Sequence, residues 1–149
     1  MLNMLVTGGA GFIGSNFIRF LLQTQENLKV INLDLLTYAG SLENLKNLPH
    51  MDRYEFVNGD IGNQSLVEDI LRRNKINFIV HFAAETHVDR SILSPMAFIQ
   101  TNILGTFSLL EASRKVWLDE KIENLKHVRF HHISTDEVFG SLEKGSPAF

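Results

Sequence analysis

Apolar positions along the chain follow two alternating rhythms. Short runs rich in Val, Ile, Leu and Phe recur at Met4–Thr7, Lys29–Asp34, Tyr54–Asn58, Phe78–His81 and Arg129–Ser134. They lack a regular polar alternation, FIVHFA (Phe78–Ala83) being the plainest case, and such runs suit strands covered on both faces. Between them lie longer segments with helical spacing, Ile13–Gln23, Ser65–Asn74 and Met96–Trp117, with a shorter helix expected over Leu42–Leu48. Gly, Asn, Asp or Pro separates the segments, as βαβ units require. Right-handed crossovers then give an α/β fold, a doubly wound parallel sheet with strand order 3-2-1-4-5. WLDEKIENLKH (Trp117–His127) reads as a solvated helix end and connection, and no internal repeat or linker interrupts the pattern.

Composition narrows the function classes. The 149 residues suit one domain, which buries roughly two thirds of the surface its unfolded chain exposes. Hydrophobic residues at 44%, charged residues at 21% and a formal charge of -3 describe an ordinary globular domain without a polyanion footprint, so nucleic acid is not an expected partner. The opening MLNMLVTGG has no basic region and reaches glycine after seven residues, and no later apolar run is long enough for a bilayer. A cytoplasmic protein without membrane association is expected. With no cysteine there are no disulfides and no thiolate metal ligands.

The first chemical motif is LVTGGAGFIGSNF, which places Gly8, Gly11 and Gly14 in a G-x-x-G-x-x-G spacing between a strand and a helix. Gly8 permits the tight turn, Gly11 lets a pyrophosphate approach the backbone, and Gly14 lets the helix sit close on the sheet. The helix N-terminus then attracts phosphate. Together these features predict a Rossmann-like, dinucleotide-binding fold. Asp34 closes the second strand 20 residues after Gly14, where its carboxylate can accept from the adenosine ribose hydroxyls. It would repel a 2'-phosphate, and neither the glycine turn nor DLLTYAG (Asp34–Gly40) offers an arginine, so NAD is expected over NADP. In NGDIGN, Asp60 could meet the adenine amino group and the Ile61 side chain could lie on the adenine face, with a simple Asp turn as the alternative.

Two further segments follow strand ends, the ligand side of such a sheet. In HFAAETHVDRS, Ala83 and Ala84 would admit a cofactor close to the backbone, Glu85, Thr86 and His87 could touch nicotinamide ribose or substrate, and Asp89 and Arg90 read as ion pairs or caps. His81 is expected to be buried, and His131 and His132 to alternate about a strand rather than bind metal. No metal is expected. In HISTDEVFG, Ser134 and Glu137 have capping-box spacing, but Val138, Phe139 and Gly140 supply no helical run. Solvated turn acids remain one reading of Asp136 and Glu137. The other is a general acid and base with divided pKa values.

TGGAGFIGSN, LTYAGSLENL, AAETHVDRS, FIQTNILGT and HHISTDEVFG together resemble the extended short-chain dehydrogenase/reductase family, and within it the branch that dehydrates dTDP-glucose, over essentially the whole chain. The resemblance implies NAD as cofactor, dTDP-glucose as substrate, dTDP-4-dehydro-6-deoxyglucose as product and a homodimer for the full-length enzyme. It also implies roles by position. Glu137 would remove the C5 proton, Asp136 would protonate the departing C6 hydroxyl, and Thr135 would hydrogen-bond the sugar at C4. Cofactor contacts fall on Phe12, Ile13, Asp34, Leu35, Leu36, Thr37, Asp60, Ile61, Phe82, Ala83, Ala84 and Thr101, with Thr86 near substrate. Thr86 stands where the family commonly has serine, and Phe139 where tyrosine is common. The family's oxidation base, a tyrosine with lysine four residues on, has no counterpart: Tyr38 and Tyr54 are the only tyrosines and neither has that lysine. The chain is therefore expected to be the N-terminal portion of such an enzyme, stopping after about the fifth strand and inactive alone. The alternatives are a non-catalytic NAD-binding module and an epimerase or decarboxylase fragment, in which Asp136 would have no task.

Overall fold

A computed structural model describes residues 1–120, 127–140 and 145–147, with the backbone alone at Glu137. Five parallel strands form one sheet: β1 (Leu2–Thr7), β2 (Leu28–Asp34), β3 (Tyr54–Asn58), β4 (Phe78–His81) and β5 (Arg129–His132). Their order is β3-β2-β1-β4-β5, as the alternation of strand and helix patterns predicts. This is the Rossmann-like, doubly wound arrangement.

Side-chain alternation along the central strands divides the core into two layers. Leu5, Ile31, Leu33 and Ile79 face one side, where they pack with Val67, Ile70 and Leu71 of α2 (Gln64–Arg73) and with Leu109 and Ala112 of α5 (Thr106–Arg114). Val6 and Val30 face the other, against Ile18, Leu21 and Leu22 of α1 (Phe12–Thr24) and against Leu45 and Leu48. Covering both faces is what allows the central strands to bury apolar residues on both sides, with Thr7, Asn32, Asp34 and His81 as buried polar exceptions.

Several boundaries follow local chemistry. α2 starts at Asn63, whose side chain accepts from Leu66 N–H at 3.1 Å. The helix expected over Leu42–Leu48 contracts to a 3₁₀ turn, Leu42–Leu45, because Lys46 is already extended and Asn47 takes a left-handed φ of 55°. The segment expected over Met96–Trp117 is helical throughout but not uniformly α: α4 (Pro95–Phe98) runs through a π-helical stretch (Ile99–Gly105) into α5, and out through a second (Lys115–Asp119). A further short helix, α3 (Val88–Leu93), escapes the sequence pattern. It ends at Ser94, where the proline at 95 disfavours helical geometry in the residue before it. β5 ends at His132, two residues before Ser134, while Ile133 N–H still donates to His81 O at 3.1 Å. Of the connection expected over 117–127, residues 121–126 lie outside the described residues. Among the described residues no helix is long and apolar enough to cross a membrane.

Candidate functional site

Because all five strands are parallel, their carboxyl ends share one edge of the sheet, and the segments singled out by sequence follow those ends, Thr101 excepted, which lies in the π-helical stretch. β1 leads into the glycine turn. Gly8 has φ 70°, and a Cβ there would come within 2.6 Å of the Ala83 nitrogen, so only glycine lets this turn pass against the end of β4. A Cβ on Gly14 would collide with the Gly8 carbonyl, which explains why α1 can start so close to the turn. Gly11 is the N-cap of α1 and supplies no side-chain cap. The first-turn N–H groups of this 13-residue helix are thus not covered by a capping side chain, the condition under which a helix N-terminus receives an anion. Phe12 and Ile13, at 81% and 64% exposure, stand at its rim.

Asp34 is buried at the end of β2. Its Oδ2 accepts from Ala10 N–H and its Oδ1 from Leu36 N–H, both at 2.8 Å. The carboxylate therefore braces the glycine turn and its own loop, a task the sequence does not announce, and its remaining lone pairs can still accept from ribose hydroxyls. Leu35 is half exposed, Leu36 has φ 56° and packs on the α1 layer, and Thr37 O receives Gly40 N–H at 3.0 Å. After β3, Asp60 Oδ1 accepts from Gly62 N–H at 2.7 Å in a local turn, leaving its second oxygen for a ligand. The reading of Ile61 needs correcting. Its side chain is 5% exposed and belongs to the core beside Leu33, Val67 and Leu109, with Gly105 against its tip, so it cannot lie on an adenine face. What Ile61 offers a cofactor is its backbone.

After β4, Phe82 meets Phe17 at 5.3 Å between ring centroids, Ala83 N–H points to Thr7 Oγ1 at 3.4 Å, and Ala84, Thr86 and His87 are exposed. Glu85 is held by a residue the sequence reading missed: Asn102 accepts from Glu85 N–H at 2.8 Å and donates to Glu85 O at 2.9 Å. Asn102 and its half-buried neighbour Thr101 lie in the π-helical stretch, and an asparagine inside a helical pattern was the one available signal. Among the described residues Arg90 forms no ion pair, one of the two roles expected of it. Its guanidinium lies 3.8 Å from the centroid of the Tyr38 ring. Partial desolvation and then the charge of Glu85 raise the Tyr38 hydroxyl above its ordinary pKa.

Beneath this loop sits His81, 1% exposed as expected, its Nδ1 2.6 Å from Thr7 Oγ1 and its Nε2 2.9 Å from Thr106 Oγ1. Burial, helped by the nearby His132, lowers it to about 4. It is neutral at physiological pH. His131 and His132 are exposed on β5, and the His132 ring lies 5.1 Å from that of His81. Past β5, Asp136–Phe139 form one 3₁₀ turn, short of the α-helix a capping box would open. Thr135 Oγ1 donates to Asp136 Oδ1 at 3.2 Å, and both residues are exposed. The Glu137 side chain lies outside the described residues.

Comparison with known proteins places this arrangement. Residues 5–148 match the family described as GDP-mannose 4,6 dehydratase. A dTDP-glucose 4,6-dehydratase from Salmonella typhimurium is 46% identical over 141 residues, 95% of this chain and 39% of that protein. Among solved structures, a dTDP-glucose 4,6-dehydratase from Bacillus anthracis in complex with NAD has a TM-score of 0.82 at 42% identity, covering 100% of this chain and 42% of that one. Another from Streptomyces venezuelae, with NAD bound, has a TM-score of 0.84 at 44% identity, covering 97% and 43%. The chain thus spans about 40% of the length of the relatives it matches.

Proposed function

This chain belongs to the GDP-mannose 4,6-dehydratase family, and we propose that it is the NAD-binding portion of a 4,6-dehydratase acting on dTDP-glucose. The observation that carries this reading is that the glycine turn, Asp34 and the Thr135–Asp136–Glu137 run all follow carboxyl strand ends on one edge of the sheet, those of β1, β2 and β5. NAD, when bound, supplies the hydride acceptor and donor. The residues fit it: the α1 N-terminus lacks a side-chain cap, Gly8 passes against Ala83, and Asp34 stands braced at the adenosine side.

The work of the protein residues divides by atom. Asp34 accepts from the ribose hydroxyls, and the Asp60 side chain and Ile61 backbone are placed for the adenine. Thr135 orients the sugar at its C4 oxygen, Glu137 takes the proton from C5, and Asp136 gives one to the C6 oxygen so that it leaves as water. The proton at the C4 hydroxyl has no acceptor of the Tyr-x-x-x-Lys kind among the 149 residues, so the chain alone binds cofactor without turning over. Glu85 and Thr86 are assigned to the sugar in this reading. The apolar face of α5 and the stretch before it is proposed as the homodimer contact.

Calorimetry on the chain tests the cofactor reading. NAD should bind more tightly than NADP, and Asp34→Ala should weaken NAD by roughly 1.5 to 3 kcal/mol through lost charge-assisted bonds. Equal affinity for both dinucleotides would remove Asp34 from this role.

A further inference from the structure

The loops after β2 and β4 flank the glycine turn from opposite sides. On one side Ser41 N–H and Asn44 Nδ2 donate to Ala10 O, at 3.0 and 2.8 Å. On the other, Gly8 abuts Ala83. β2 and β4 are not neighbours, since β1 lies between them, so the sheet itself does not bring these loops together beyond the turn. They nevertheless meet, through the Arg90 guanidinium on the Tyr38 ring at 3.8 Å. Each side is anchored separately, by Asp34 through Leu36 N–H and by Asn102 through Glu85. The contact serves neither core layer, for Tyr38 is 50% exposed and Arg90 is exposed.

We propose that Tyr38 and Arg90 are positioning residues for the dinucleotide, their stack joining the two sides of the cofactor groove across the glycine turn. The inference rests on the NAD reading above. The Arg90 guanidinium is centred over the ring, and its N–H groups make no ion pair or hydrogen bond among the described residues, which leaves them available to an anion. Arg90 thereby brings a cation to a groove in which the first turn of α1 and the 34–40 loop hold none. Holding both sides at a fixed spacing before the ligand arrives lowers the ordering cost of binding.

The test uses Tyr38→Ala, Arg90→Ala, the double variant and Tyr38→Phe, with NAD affinity by calorimetry and amide exchange measured on the cofactor-free chain. Each alanine variant should bind NAD roughly three- to tenfold more weakly, and the double variant no more weakly than Arg90→Ala alone. Tyr38→Phe keeps the ring and should recover most of the affinity. Exchange should quicken across the groove: at residues 83–87 in Tyr38→Ala and at residues 35–40 in Arg90→Ala. Parent-like affinity in the alanine variants, additive losses in the double variant, or exchange changes confined to the substituted loop would each overturn the inference while leaving the cofactor reading intact. A parent chain that binds no NAD would overturn both.

Discussion

A histidine buried at the end of an inner strand of a parallel sheet has to stay uncharged, and His81 shows how. Thr7 and Thr106 occupy its two ring nitrogens at 2.6 and 2.9 Å, and burial with the neighbouring His132 lowers its pKa from 6.5 to about 4. The unfolded chain therefore binds a proton before the folded one does. Stability from this residue is complete above about pH 6.5 and is lost as pH falls towards 4, amounting to about 3 kcal/mol at most. Chemical denaturation across pH 7 to 4.5 should show that decline, and His81→Asn should flatten it even though it lowers stability at pH 7. An unchanged slope would mean that another group titrates. At this scale legibility in the sequence depended on whether a role is local to the residue or set by partners distant in the chain. Gly8, Gly14 and buried His81 could be read from type and position, whereas the bracing of Ala10 by Asp34, the clamp of Asn102 on Glu85 and the inward turn of Ile61 depend on partners distant in sequence.

At the scale of elements, α2 and the long helical run are joined by one carboxylate. Glu68 accepts from Lys115 Nζ at 2.7 Å, from Arg72 at 2.7 Å and from Gln64 at 3.0 Å. Lys115 foremost, then Arg72, lowers it to about 2. Its side chain is only 9% exposed, so this pairing is shielded from water more than a surface bridge is. Glu68→Gln should destabilise the fold by roughly 1 to 3 kcal/mol. The loss is moderated because Arg72 keeps Glu120 at 2.6 Å. The contribution of Glu68 is present above about pH 4.5 and disappears as pH falls towards 2, a window below that of His81. Urea midpoints for Glu68→Gln and parent should therefore differ at pH 7 and converge near pH 2; a constant difference would point to packing instead. Periodicity could find both helices because their apolar faces repeat over several turns. It could not find α3, whose six residues include no buried one, or the π-helical stretches, which preserve an apolar face while changing the backbone bonding.

For the whole molecule the question is what remains uncovered. Among the described residues β5 lies at the sheet edge and its side chains are mostly exposed, while the long helical run presents Ile103, Phe107 and Leu110 at 61%, 60% and 45% exposure. Their spacing of four and three residues puts them on one side of the run, beside buried Leu109 and Ala112, which hold the opposite side to the sheet. A continuous apolar stripe on a helix fixed at its back is the kind of surface that a second copy covers with the same stripe about a two-fold axis. An exposed strand edge offers a competing contact, through backbone hydrogen bonds rather than side chains. The two are separable, because a charge on the helix face leaves the edge untouched. The chain should sediment as a dimer, and Phe107→Asp should shift it to monomer while leaving the cooperative unfolding transition in place. Association that survives both Phe107→Asp and Ile103→Asp would assign the contact to β5, and a parent chain monomeric at high concentration would withdraw the homodimer proposal for these residues.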